Sequence, residues 1–136
     1  MAQNVQSLWS PSIKATVMSP LAILRGQAEA LLLLTGGVLM AQIVEETQEG
    51  RVSLSLDLVA PALQGSRHRI LKVIHDYDRP YPAQLQAEIF NSSLAFTDEE
   101  FTEKVAQVLR STEVSSVAQS LIARANEALA AEAPVQ

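Results

Sequence analysis

Two hydrophobic periods divide the chain. After Ser19, the positions Leu21, Leu24, Ala28, Leu31 and Leu32 recur at helical spacing, with Arg25 and Glu29 off that face. Ser19 supplies a capping hydroxyl, and Pro20 at the first helical position gives up no needed hydrogen bond. Thr35-Gly36-Gly37 ends this helix, because glycine accepts the left-handed backbone of a C-terminal cap. Beyond Val38 the period shortens. Residues 38–45 are apolar and β-branched, and Glu49-Gly50 offers a turn. In Arg51–Val59, Val52, Leu54, Leu56 and Leu58 alternate with Ser53, Ser55 and Asp57, the mark of a strand with one wet face. Ala60-Pro61 stops it. A third strand is predicted over 67–75. After a Pro-rich loop comes a fourth over 83–90, with Leu85, Ala87 and Ile89 inward and Gln84, Gln86 and Glu88 outward.

Helical spacing then returns. Thr97-Asp98-Glu99-Glu100 has the form of a capping box with acids at the positive end of the helix dipole, followed by a stripe of Phe101, Val105, Val108 and Leu109. Ser111 or Thr112 caps a last helix with the stripe Val114, Val117, Ala118, Leu121, Ile122 and Ala125. The links between strands are too short for parallel crossovers, so the sequence predicts an α+β fold of order α-β-β-β-β-α-α. That fold is a four-stranded antiparallel meander with helices on one face. The domain is expected over 19–130, with an irregular arm over 1–18 and a frayed tail over 131–136. The arm carries Val5, Leu8, Trp9, Ile13 and Val17, too many apolar groups for a solvated tail.

One feature does not fit a sheet covered on one side. Strands one and three are apolar on both faces: Val38, Met40 and Val44 oppose Leu39, Ala41 and Ile43, and Ile70 and Ile74 oppose Leu71 and Val73. Large exposed apolar surface marks contact sites, so the pattern predicts an arm folded across the sheet or a homodimer, unless these strands are central and simply more buried, a reading of equal weight to the dimer.

Composition narrows the class. The chain of 136 residues is 48% hydrophobic but only 4% aromatic, so its core is aliphatic. It has no cysteine, which excludes a disulfide scaffold, thiolate metal sites and a thiol nucleophile, and fits a reducing, cytoplasmic location. A net charge of −5 disfavours nucleic acid and anionic membranes as partners. The apolar stretch 30–44 is shorter than the ~20 residues of a bilayer-spanning helix and is broken by Gly36-Gly37. As a secretory leader it would have an overlong charged region and Glu29 at its apolar edge.

Candidate chemistry concentrates in His75-Asp76-Tyr77-Asp78-Arg79-Pro80-Tyr81-Pro82. His75 beside two carboxylates has the makings of a general base or a metal ligand. A turn is the commoner use of Asp and Pro in such a run, and no matching ligand pair occurs elsewhere. Tyr and Arg are favoured interface anchors, which makes Tyr77, Arg79 and Tyr81 candidate contact residues together with Trp9 of the arm. Arg67 and Arg69 share a face on strict alternation, with His68 and Lys72 opposite; the two arginines suit an anion or cross-strand pairs with Asp57 or Glu88. Asp98, Glu99, Glu100 and Glu103 read as a solvated first helical turn. No P-loop, G-x-G-x-x-G or G-x-S-x-G occurs, and Gly36-Gly37 follows a helix where a phosphate cradle precedes one. Phe90, Phe96 and Phe101 are expected to plug the corner between strand four and the following helix, while Trp9, Tyr77 and Tyr81 fall outside the regular elements.

These features point first to a non-enzymatic protein-interaction module (an adaptor, specific chaperone or immunity-type partner) that self-associates and uses no cofactor or metal. The alternative is a binder of a small anion, with a pocket between sheet and helices and Arg67, Arg69 or His75 orienting the charge. A His75/Asp-dependent enzyme ranks last.

Overall fold

A computed structural model describes residues 6–11, 13 and 17–132. The elements are α1 (Pro20–Leu34), β1 (Met40–Gln48), β2 (Arg51–Val59), β3 (Arg67–Asp76), β4 (Arg79–Ala87), β5 (Phe90–Ala95), α2 (Asp98–Leu109) and α3 (Thr112–Glu132). The strands form one antiparallel sheet in the order β1-β2-β3-β4-β5. The α+β class and the meander stand, but the strand count is five. The segment predicted as a single strand over 83–90 breaks at a two-residue turn, Glu88-Ile89, which sets Ala87 opposite Phe90. Ile89 therefore lies exposed at the hairpin tip instead of facing inward. Two parts of the sequence reading lie outside the described residues: positions 1–5, 12 and 14–16 of the arm, and 133–136 of the tail. The helix α3 itself continues to Glu132.

The helix ends follow from local chemistry. Ser19 Oγ accepts from Ala22 N at 3.2 Å and Thr97 Oγ1 from Glu100 N at 3.1 Å, so two starts are capped by the expected side chains. Ser111 Oγ accepts from Val114 N at 3.2 Å and caps α3. At the end of α1, Gly37 N donates to Leu32 O, with Gly36 and Gly37 at φ 60° and 86°. Thr35 Oγ1 donates to the carbonyls of Leu31 and Leu39 and accepts from Leu39 N. That tether holds Leu39 in the core ahead of the sheet, and β1 starts at Met40, two residues later than the apolar run suggests.

A β-bulge corrects the reading of strand three. Leu56 pairs with Leu71 but Asp57 pairs with Arg69, so Ile70 is an extra residue. Ile70 and Leu71 both enter the core, which removes Ile70 from the open face. The bulge also shifts the alternation. Lys72, opposite Ser55, shares the face of Arg69 instead of the face of His68.

All three helices cover one face. Ile23 and Leu24 of α1, Phe101, Val105 and Val108 of α2, and Leu121 and Ala125 of α3 join one cluster with Val52, Leu54, Leu56, Leu58, Leu71, Val73, Ala83 and Leu85. The register places these strand residues on the same side. Each fully buried Leu contributes about 1.5–3 kcal/mol to such a core. Of the three phenylalanines expected at the corner, Phe101 is buried and Phe90 packs on the core, but Phe96 is 60% exposed. Its backbone N–H instead serves the α2 cap, donating to Glu100 Oε2.

Candidate functional site

Alternation along β2 sends Asp57 to the face away from the helices, between Leu56 and Leu58. Its side chain is nonetheless only 1% exposed. Arg69 Nε donates to Asp57 Oδ1 at 3.2 Å, and Arg67 Nε stands 3.4 Å from Oδ2. The two guanidinium side chains, 51% and 55% exposed, form the lid over the carboxylate. Arg67 is held further by Gln42 of β1, whose Oε1 accepts from Nη2. The cross-strand pairing expected with Asp57 is thus present twice, while Glu88 sits in the β4–β5 turn and takes no part in it. A carboxylate removed from water costs several kcal/mol unless charge and hydrogen bonds offset it. Two arginines on one acid more than balance the charge.

The other sequence-derived residues lie elsewhere. Seven residues along β3 separate Arg69 from Asp76, about 20 Å at the rise of a strand. The expected Pro-rich loop after strand three is a hairpin turn of two residues, Tyr77 and Asp78, with Arg79, Pro80, Tyr81 and Pro82 inside β4. Register breaks between Ile74 and Asp76, so this stretch of β4 has few ladder bonds for its prolines to interrupt. Tyr77 N donates to Gly50 O at 2.8 Å, which sets this turn beside the Glu49-Gly50 turn.

The imidazole of His75 lies 2.7 Å from the carbonyl oxygen of Asp76 through Nδ1, so Nδ1 carries the proton in that contact. The Asp76 carboxylate instead faces Arg51 at 3.9 Å in an exposed pair. Tyr77 is largely exposed and Arg79 exposed, and Trp9 of the arm is 75% exposed. Tyr81 differs from them. It points to the helix side, where its ring meets Phe101 edge-on with centroids 6.1 Å apart and its hydroxyl donates to Met18 O at 2.7 Å. Met18 N donates in turn to Asp98 Oδ2 at 3.0 Å. The phenol and the carboxylate clamp the backbone of one residue, Met18, just ahead of α1. Burial, with the Asp98 charge added to it, pushes the Tyr81 hydroxyl up to about 12.

The end of α1 carries an exposed run of leucines: Leu33 and Leu34 are 77% and 83% exposed, and Leu32 is partly exposed. Leu34 also lines a cleft of about 330 Å³ between α1 and the start of α3, with Ala28, Leu31, Ala41, Leu109, Val114 and Ala118 on its walls. Leu56, Leu58 and Ile70 form its floor. The expected pocket between sheet and helices therefore exists, but Arg67 and Arg69 bond to Asp57 on the opposite face. Sequence reasoning named Asp57 as a partner of the two arginines but not its burial, and it missed Gln42 and Asp98 as anchors and Leu33 and Leu34 as surface. Among the described residues no group of three His, Asp or Glu is placed to hold a metal ion, and no described helix is long and apolar enough to cross a membrane. Compared with known proteins, the chain matches no family model, no curated protein and no solved structure.

Proposed function

We propose that the protein is a non-catalytic interaction module that self-associates as a homodimer through the leucine-rich end of α1 and the adjoining cleft. One observation carries this reading: Leu32, Leu33 and Leu34 leave the end of α1 exposed, and Leu34 also lines the open cleft between α1 and α3. Contiguous surface of that kind marks contact sites in soluble proteins. Charge is sparse there, with Arg110 the one ionisable residue lining the cleft among the described residues. Residues 30–44 hold no ionisable side chain, so two chains of net charge −5 can meet at this surface with their acids held apart. A two-fold interface, in which the same patch meets itself, is the commonest closed arrangement.

Sedimentation velocity over a concentration series from micromolar upward tests it. The expected mass is twice the 14.7 kDa of one chain, reduced to one chain by Leu33→Lys with Leu34→Lys. Both positions are exposed, so the doubly substituted chain keeps its fold, checked by circular dichroism. A wild-type mass of one chain at every concentration contradicts the proposal. So does a dimer indifferent to the two lysines.

A further inference from the structure

The open face of the sheet carries a group of cations that the core does not need. Arg69 donates to Asp57 through Nε and Arg67 faces it as an ion pair while its Nη2 donates to Gln42, so the Nη edge of Arg69 is the one left without a protein partner among the described residues. The bulge at Ile70 brings Lys72 onto this face, opposite Ser55 and two residues along β2 from Asp57. Lys72 belongs to none of the ion pairs among the described residues. Glu88 and Glu113 line the neighbouring cavity with Lys72 but do not pair with it. Three cations thus stand around the one buried acid, Asp57, with Glu88 and Glu113 at the edge of the group, on a chain whose net charge is −5.

Neutralising a buried carboxylate takes one arginine. A second arginine and an unpaired lysine on the same face are a surplus. Asp57 and Gln42 restrict the arginine side chains in advance, which lowers the entropy lost when a ligand binds. Guanidinium forks held in this way match the paired oxygens of an oxyanion.

We infer that Arg67, Arg69 and Lys72, braced by the buried Asp57 on the open sheet face, form a binding site for a dianionic oxyanion of the phosphate class. The donors select that class: two guanidinium groups and an ammonium suit the several oxygens of a phosphate, of which a carboxylate offers only two. Three cations on an acidic chain are too few to follow a nucleic-acid backbone, so the fit is to a single phosphate group.

The test is a titration of the full chain with inorganic phosphate at constant ionic strength set by chloride. It is followed by NMR through the Arg67 and Arg69 Nε–Hε signals and the backbone amide of Lys72. Saturable shifts at these three residues are expected, with acetate giving none. Lys72→Gln is expected to weaken the phosphate affinity by about fivefold or more, the effect of one charge-assisted contact. It leaves the melting temperature unchanged, since Lys72 holds no ion pair in the fold. Arg69→Lys keeps the charge over Asp57 but loses the fork, and is expected to weaken binding as well. Phosphate shifts no larger than those of chloride overturn the inference. So does an equal saturable response to acetate, or a Lys72→Gln chain that binds phosphate as tightly as the wild type.

Discussion

Strand β2 is buried on both faces, and the two faces achieve it by different means. On the helix side Leu54, Leu56 and Leu58 lie under α1, α2 and α3, and non-directional apolar burial holds them. On the other side none of the described helices packs, yet Ser55 and Asp57 are buried too. There the cover is made of side chains: Arg67 and Arg69 reach across from β3 and Gln42 from β1. The first face tolerates a loss of shape poorly, while the second depends on charge and hydrogen bonding. One strand thus separates a packing interface from a polar one, and the two should respond to different perturbations.

The largest expected effect is on the packed face. Leu54→Ala should cost about 2–5 kcal/mol in urea unfolding, the range for a large-to-small change at a fully buried site. A loss below about 1 kcal/mol would mean that the core collapses around the gap. Asp57→Asn comes next, with an expected loss of about 1–2 kcal/mol: the shape is kept, and the two arginines released are already half in water. If Asp57→Asn cost as much as Leu54→Ala, the open face would be a true core and not a polar lid.

Tyr81→Phe should cost on the order of 1 kcal/mol, the worth of one hydrogen bond to the backbone of Met18. This variant also has a pH signature. The folded phenol titrates at about 12 and the unfolded one near 10, so the folded state holds the proton more tightly. Its contribution is therefore fully present below pH 10 and is lost as pH rises from 10 to 12. Unfolding measured at pH 9 and pH 11 should show a smaller alkaline loss in Tyr81→Phe than in the wild type. The smallest expected effect on folding is Leu33→Lys, within about 0.5 kcal/mol, because the residue is mostly in water already.

How much of this was legible in the sequence depended on whether the deciding interaction was local. Ser19 and Thr97 mark their helix starts because a cap is made within three residues. Glu49-Gly50 shows as a turn because its geometry demands positive φ, and both residues adopt it, at 52° and 77°. Glu88-Ile89 turns the chain with neither glycine nor proline, so the β4–β5 hairpin had no signature and two strands read as one. The bulge at Ile70 is set by pairing with β2, so the two-sided apolar pattern around it resembled a second buried face. Tyr81 looked like a loop residue because Asp76 to Pro82 is rich in turn formers, and only the fold brings it to Phe101 and Met18. Asp57 read as a wet-face residue because alternation reports direction and not depth; the arginines that bury it lie 10 and 12 positions away. Leu32 read as part of the buried stripe because hydrophobicity carries no record of where a helix runs past its sheet, and it is 40% exposed.

The comparison between the two sides of the sheet bears most directly on the proposed interface, which lies on the helix side. A dilution series followed by methyl NMR of the wild-type chain tests that assignment. The account predicts concentration-dependent shifts in the methyl groups of Leu32, Leu33 and Leu34 and of the cleft residues Leu31 and Val114, with Val44, Ile74 and Leu94 on the open face unmoved. Shifts confined to Val44, Ile74 and Leu94, or spectra that do not change with concentration, would contradict it.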